Sequence, residues 1–421
     1  MAPMASAQTM NLQECVQYAL EHNITMQQRR LQISEQEIQL DNDKKNYLPG
    51  VNASMGQGWN FGRGVDRTGV TRDQNSMSTD FSISGNVELF NGFRTSNQIK
   101  ADKFSLLAAT ENLERASRDI SIQVATYYLN ALYQRGMVDV QRRQLELDKA
   151  AYENARALYE VGKRPESEVA TAEAQVAKTE HNLTEAIGSE TMARLDLMQL
   201  LNLDGDIQNF VIRDIDTTQM GQDIPLADVI YAGSVDEHPS IKAAKYNLES
   251  SKYQLKVANS GYMPTLSASA SYRNSYYYMF GQDNTRFGKQ LDLNGSEYVG
   301  LNLSIPLFDR FQTRNSKRRA RLSIESQQLA LTDAQQSLHK EIQQAYWNAK
   351  KAHDNYLSAQ KASASTQLAY HYESERYAAG KGTAYDLQQA RTKLERSMQD
   401  ELQGKYEYLM RLKILEFYQT V

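Results

Sequence analysis

Tyr159-Glu160-Val161-Gly162-Lys163, followed by Ser167-Glu168-Val169 and Ala172, has a counterpart in Tyr377-Ala378-Ala379-Gly380-Lys381, followed by Tyr385-Asp386-Leu387 and Ala390. The matched pairs Tyr159/Tyr377, Gly162/Gly380, Glu168/Asp386 and Ala172/Ala390 are all 218 residues apart. A glycine after a periodic run is a helix stop, and Ser, Thr or Pro followed by an acidic residue is a helix start. Each stretch therefore reads as a tight turn between two helices. Two such turns at one offset read as a tandem duplication.

Working outward, the helix before the first turn runs over 91–161 without a proline, and Val124, Ala131, Val138, Leu145, Tyr152 and Tyr159 fall seven apart. Sustained seven-residue spacing predicts coiled-coil packing. The helix after it spans 165–201, with Val169, Val176, Leu183 and Leu197 in phase and Glu190 interrupting. In the second repeat the long helix spans 310–379 and the helix after the turn 383–420, with Ile342, Ala349, Tyr356, Tyr370 and Tyr377, then Leu387, Leu394, Tyr408 and Leu415, in heptad phase. Each repeat also opens with a helix, over 10–47 and 226–262. Leu48-Pro49-Gly50 and Met263-Pro264 end these two, because a proline and its predecessor leave helical geometry.

Between helices the period changes to two. Val51, Ala53, Met55, Trp59 and Phe61 alternate, as do Phe81, Ile83, Gly85, Val87 and Leu89, predicting strands over about 49–61 and 78–90. Residues 62–78, with Arg63, Asp66, Arg67, Arg72 and Asp73, read as a solvated loop. The second repeat has strands over about 264–280 and 297–308 around a polar loop from Gly281 to Glu297. Repeat 1 is thus 10–201 and repeat 2 is 226–421. Residues 202–225, punctuated by Gly205, Gly221 and Pro225, form a connecting segment in which Phe210-Val211-Ile212 reads as a short strand. Ala5-Ser6-Ala7 before Gln8 resembles the end of an export signal, so 1–9 reads as a residual signal segment.

Composition narrows the function. The chain has 421 residues, a formal charge of −4 and one cysteine, Cys15, so no internal disulfide forms. Cys15 sits in an amphipathic helix and reads as a buried structural thiol. No run of 18 apolar residues exists, so no transmembrane helix is expected. Barrel strands remain compatible, because alternation keeps hydropathy low. The near-neutral charge argues against nucleic acid as partner. The six histidines show no metal spacing and no nucleophile or phosphate motif occurs, so no metal, cofactor or enzyme activity is expected.

Four strands in two distant hairpins cannot close a barrel alone, and bare edges are intolerable in lipid. Three copies supply twelve strands and twelve helical columns roughly 100 Å long. The expectation is an α+β membrane protein: a homotrimer whose long α-helical coiled-coil barrel continues into a transmembrane β-barrel, four strands per protomer, two tandem structural repeats. Tyr272, Tyr276, Tyr277 and Tyr278 crowd one strand and read as an aromatic belt in contact with outer-membrane lipid. The duplicated Leu48-Pro49 and Met263-Pro264 junctions, Leu89-Phe90 with Pro306-Leu307-Phe308, and the Tyr-x-x-Gly turns followed by Glu168 and Asp386 together resemble the TolC-like outer-membrane efflux protein family, over nearly the full length. The resemblance implies a trimeric duct in the bacterial outer membrane with its helical barrel in the periplasm. It also implies two partners, a periplasmic adaptor and an inner-membrane pump, in a tripartite efflux or type I secretion system.

By position, the resemblance makes Tyr159, Glu168, Tyr377 and Asp386 candidates for a periplasmic gate. It makes Val161, Gly162, Lys163, Ala379, Gly380 and Lys381 candidates for adaptor docking. Three-fold symmetry would turn each acid into a ring that focuses field on passing ions. The plain alternative is that Glu168 and Asp386 cap helix starts. The chain departs from a common family pattern at Gly382 and Gln389, where a basic residue and a second carboxylate are expected, whereas Arg164 supplies the basic residue in repeat 1. Arg314 to Arg321 carries five cations, which read either as a lipid-headgroup contact or as a solvated helix face. A structural or adaptor-like periplasmic coiled-coil protein without a pore is the alternative function; the strands at 81–89 and 299–307 speak against it.

Overall fold

The computed structural model describes residues 8–65, 69–215 and 224–419. Most of the residual signal segment (1–7), Asp66 and Arg67 of the first loop and 216–223 of the connecting segment lie outside the described residues. The chain divides into two compact units, Met1–Gln32 with Thr110–Ala243 and Thr332–Val421, and Ile33–Ala109 with Ala244–Leu331.

The elements, in order, are β1 (Gln8–Met10), α1 (Leu12–His22), α2 (Ile24–Lys45), β2 (Gly50–Asn60), β3 (Arg63–Val65), β4 (Thr71–Asp73), β5 (Ser76–Asn91), α3 (Arg94–Glu160), α4 (Glu166–Leu201), β6 (Phe210–Ile212), α5 (Ala227–Ser234), α6 (Pro239–Asn259), β7 (Thr265–Met279), α7 (Phe287–Asn294), β8 (Ser296–Ser304), α8 (Gln312–Ala378) and α9 (Ala384–Gln419). The long helices α3 and α8 have 67 residues each, and α4 and α9 have 36 each, so the duplication holds to the residue.

Four expectations need correction. The helix over 10–47 is two helices that part at Asn23, whose backbone is extended. The Asn23 side chain donates to the Leu200 carbonyl at 2.8 Å and accepts from the Thr25 amide at 2.8 Å. A short amide side chain that competes for backbone partners breaks a helix without disturbing its apolar period. The helix over 226–262 likewise parts ahead of Pro239, the first residue of α6, with a 3-10 turn at Ser260–Tyr262 closing it. Proline fits a first helical turn and drives its predecessor out of helical geometry. The polar loops also carry structure: β3 pairs with β4, and α7 lies between β7 and β8. Gln290 fixes α7 by bonding the Tyr277 amide and carbonyl at 3.0 and 2.9 Å. Finally, β8 stops at Ser304, before Pro306, which has no amide to give a ladder.

In the first unit, Cys15, Ala19, Val124, Tyr128, Leu132, Leu197 and Leu201 form a close-packed core. Burial pushes the Cys15 thiol up to about 12, so it stays protonated and apolar in character. Beside this core, β1 pairs in parallel with β6. The Tyr128 hydroxyl donates to the Arg213 carbonyl at 2.6 Å, and Arg135 donates to the Ile212 carbonyl at 2.8 Å. Glu190, a charged residue at an apolar heptad position, pairs with Arg194 at 2.7 Å, and Arg194 donates to the Phe210 carbonyl at 3.0 Å. The phase break in α4 is therefore a charged bracket for the connecting segment.

In the second unit, the two hairpins merge into one antiparallel sheet in the order β2-β5-β7-β8. Register sets its two faces. Val51, Gly85, Ala270 and Val299 lie in one cross-strand row, and Asn52, Ser84, Ser271 and Tyr298 in the next. The apolar face is bare, with Val299 85% and Leu301 70% exposed. Tyr276 meets Tyr278 and Phe287 in an aromatic cluster at the loop end of the sheet. Among the described residues no helix is long and apolar enough to cross a membrane.

The strand-to-helix turns are duplicated in detail. Gly92 and Phe93 both have positive φ, as do Arg310 and Phe311. Asn91 accepts from the Thr95 amide and Asp309 from the Thr313 amide, so each turn caps the helix that follows. Phe90 stacks edge-on with Phe93, and Phe308 with Phe311. A Cβ on Gly92 would fall 2.5 Å from the Met263 Cβ and 3.0 Å from the Ser260 carbonyl oxygen.

Two predictions follow from these contacts. Gly92→Ala combines a left-handed backbone with a clash and is expected to cost about 2 kcal/mol, read as a lower melting temperature in detergent; Arg310→Gly is expected to raise it, by about 1 kcal/mol. The Asp102 carboxyl is held at about 7 by burial first and then by the neighbouring Asp43. The folded chain thus keeps a proton that the unfolded chain releases, and this group costs stability as pH rises from about 4 to about 7. Asp102→Asn should melt higher than the parent at pH 8 and lose that advantage at pH 5. Equal shifts at both pH values would refute the coupling.

Candidate functional site: the two helical turns

Both turns close as Schellman caps. The Gly162 amide donates to the Tyr159 carbonyl and the Lys163 amide to Leu158, both at 2.8 Å. The Gly380 amide donates to Tyr377 at 3.0 Å and Lys381 to Arg376 at 2.9 Å. Gly162 and Gly380 have φ of 72° and 74°, the left-handed conformation that only glycine adopts without strain. Val161, Gly162, Lys163, Ala379, Gly380 and Lys381 are all exposed, so the six docking candidates form the bare ends of the two hairpins.

The four gate candidates separate. Tyr377 and Glu168 are brought together across the hairpins, the Tyr377 hydroxyl donating to Glu168 Oε2 at 3.0 Å. Arg164 donates to the other oxygen, Glu168 Oε1, at 3.2 Å, and its guanidinium lies 4.6 Å from the centre of the Tyr377 ring. Burial, and then the Glu168 carboxylate, raise the Tyr377 phenol above its ordinary range, so it remains a neutral donor. At the second turn Thr383 caps α9: its hydroxyl accepts from the Asp386 amide at 3.1 Å and donates to the Asp386 carboxylate at 2.7 Å. Gly382 stands where Arg164 stands in repeat 1, so no arginine takes the matching place beside Asp386. Tyr159 is 43% exposed and stands apart from the Glu168–Tyr377 pair.

Behind the turns lies a group that sequence reasoning missed. Asp148 of α3 is fully buried and ion-paired with Arg391 of α9. Gln144 donates to the Asp148 carboxylate at 3.0 Å, and Thr179 of α4 donates to its other oxygen. Gln388 of α9 donates to Gln175 of α4 at 3.2 Å. Burial lowers the Arg391 guanidinium from its ordinary value. Asp148 and Arg391 fall between the apolar heptad positions, so periodicity did not single them out. The signal was available in Gln141, Gln144 and Asp148, spaced by three and four like a buried stripe yet entirely polar. Between the hairpins is a cleft of about 590 Å³ lined by Asp148, Arg164, Glu168, Tyr377, Gln388 and Arg391.

The arrangement is that of a releasable polar contact. A hydrogen bond to a charged group contributes about 1.5–3 kcal/mol, and a cation over an aromatic ring about 0.5–2 kcal/mol. These are small enough to be exchanged for contacts with a partner. No nucleophile–base pair is formed here, and among the described residues no group of three or more potential metal ligands exists.

Known proteins place this architecture. The family model for outer membrane efflux proteins matches residues 15–203 and 233–418, most of the chain. The outer membrane efflux protein BepC of Brucella suis biovar 1 is 23% identical over 376 residues, covering 89% of this chain and 78% of that protein. The alkaline protease secretion protein AprF of Pseudomonas aeruginosa is 21% identical over 322 residues, covering 75% and 64%. Among solved structures, the Campylobacter jejuni CmeC outer membrane channel superposes with a TM-score of 0.80 at 19% identity, covering 97% of this chain and 87% of that one. The outer membrane protein VceC of Vibrio cholerae gives 0.77 at 15% identity, covering 97% and 96%. Family match and fold agree: with its duplicated helical hairpins and four-stranded sheet, the chain belongs to the outer membrane efflux protein family and has the TolC-like channel-tunnel fold.

Proposed function

We propose that the protein is the exit duct of a tripartite efflux or secretion system, acting as a homotrimer whose β-sheets close into one barrel in the outer membrane. In this reading the duct opens at its helical turns, where a periplasmic adaptor docks and links it to an inner-membrane pump. The observation that carries it is the sheet: β2 and β8 are edge strands, and the face between them is apolar and bare. Edges of this kind are closed in a bilayer only by other strands, and twelve strands make an even-numbered barrel. Ile24, Leu31 and Ile38 of α2, with Leu322 and Leu329 of α8, are exposed at seven-residue spacing, which suits helix packing between copies. The same sheet disfavours a pore-less periplasmic adaptor, which has no use for such a face.

Within this reading Glu168, Tyr377 and Arg164 hold the resting tip, and Asp386, bonded to the capping Thr383, contributes charge near the opening. The exposed glycine turns receive the adaptor, since glycine permits close approach of a partner helix. Neighbouring polar packing around Asp148 and Arg391 supplies contacts that can exchange as the hairpins shift.

Two experiments address the tip. Single-channel conductance in planar bilayers is expected to rise several-fold for Glu168→Gln combined with Tyr377→Phe, whereas Asp386→Asn should alter cation block with little change in conductance; an unaltered double variant would remove the proposed lock. Photo-crosslinkers placed at Val161 and Ala379 should capture the adaptor in cells, and Val161→Glu with Ala379→Glu should abolish transport while leaving membrane insertion intact. Full transport by that variant would move docking elsewhere.

A further inference from the structure

Immediately after the sheet, α8 begins with a concentrated positive charge that the duct reading leaves unused. Arg314, Arg318, Arg319 and Arg321 are exposed and Lys317 is half-buried. Positions 314, 317, 318 and 321 recur at three- and four-residue spacing and therefore share one helix face. Arg319 donates to Ser316 Oγ at 3.4 Å, and Arg314 lies 5.8 Å from the centre of the Phe311 ring. None of the five is ion-paired with a carboxylate among the described residues.

This charge adjoins an apolar surface. Leu307 is 94% exposed and Phe308 73%, and Phe311, which Arg314 covers, packs edge-on against Phe308. The cationic face thus runs without a break into the bare apolar end of the sheet. Arginine over an aromatic ring at the edge of an apolar surface is the arrangement of a side chain whose body sits at an acyl boundary and whose head reaches the polar layer.

Comparison between repeats shows that the duplication carries only part of this charge. The positions that match Arg314, Lys317 and Arg319 are Ser96, Ile99 and the fully buried Ala101, while Lys100 and Lys103 match Arg318 and Arg321. The nearby Arg94 is occupied by Glu88 at 3.3 Å. Repeat 2 thus sets five cations beside its strand end where repeat 1 has two at the matching positions, in a chain whose net charge is −4.

We propose that the α8 face formed by Arg314, Lys317, Arg318 and Arg321 binds the phosphate headgroups of anionic phospholipids, with Phe308 and Phe311 seated at the acyl boundary. The site rests on the reading of the sheet as membrane-embedded. Charge complementarity selects the ligand: clustered basic residues next to a bilayer attract anionic headgroups over a distance set by the Debye length. Continuity with the exposed apolar sheet selects a lipid rather than a free anion, because a soluble phosphate gains nothing from Leu307 and Phe308.

The test is lipid titration of the full-length protein in detergent, followed by native mass spectrometry, with phosphatidylglycerol and phosphatidylcholine as probes. The parent protein is expected to retain phosphatidylglycerol at least tenfold better than phosphatidylcholine, with the preference falling as salt rises. R314Q/K317Q/R318Q/R321Q should lose that preference, and R314K/R318K/R321K should keep it. Equal retention of the two lipids by the parent overturns the proposal, as does displacement of phosphatidylglycerol by millimolar inorganic phosphate. A glutamine variant that keeps its lipid preference but falls apart into single chains also overturns it, by assigning the face to a contact between copies. Should the glutamine variant fail to fold, the lipid ratio of the parent and lysine proteins decides. Pore formation by the same parent sample in planar bilayers is measured alongside. Its absence would count against the duct, whereas pores without lipid preference would count against this site alone.

Discussion

A β-strand whose outer edge has no neighbour is the constraint from which the rest of this structure follows. β2 and β8 pair on one side only, and the sheet between them turns a face of Val51, Met55, Ile83, Val299 and Leu301 outward. In water such a face aggregates, and in hydrocarbon each unpaired backbone group costs several kcal/mol. In the proposed trimer, strands of other copies would remove both costs at once.

Packing changes character along the helices. Around Tyr128, Leu132 and Leu197 the interior is apolar and tightly filled. From Gln141 onward the buried positions of α3 become Gln141, Gln144 and Asp148, and α9 contributes Arg391 and Ser397. An apolar core resists sliding, because every displacement opens voids. The part-buried contact Glu168–Tyr377 exchanges one partner for another at lower cost. A buried ion pair is weak evidence for stability but strongly couples the groups that make it. The region next to the turns is therefore the part of the helical packing best suited to rearrange.

Much of the fold was legible because duplication repeats each signal. One Gly-Lys turn or one Leu-Pro junction is weak, while the same set at a constant offset of 218 residues is specific. The four main strands and the long helices appear where alternation and heptads put them. The misses share a cause. Asn23 breaks a helix through hydrogen bonds to Leu200 and Thr25, and Leu200 is distant in sequence. Gln290 orders α7 through Tyr277 in the same way. Periodicity reports which face is apolar, and it is silent about a polar side chain that finds a remote partner.

The turns divide along the same line. Sequence alone determined that two helical turns exist, that glycine closes each, and that an acidic residue follows each, because local conformation and spacing carry that information. Only the tertiary structure decided that Tyr377 reaches Glu168 rather than Asp386, that Arg164 braces this contact, and that Asp148 and Arg391 meet in the interior. Tyr377–Glu168 and Asp148–Arg391 are pairings between residues more than 200 positions apart, and no local preference encodes them. The pairing of β5 with β7, which turns two hairpins into one sheet, belongs to the same class. Local chemistry specified the parts, and long-range hydrogen bonding and burial specified which parts touch.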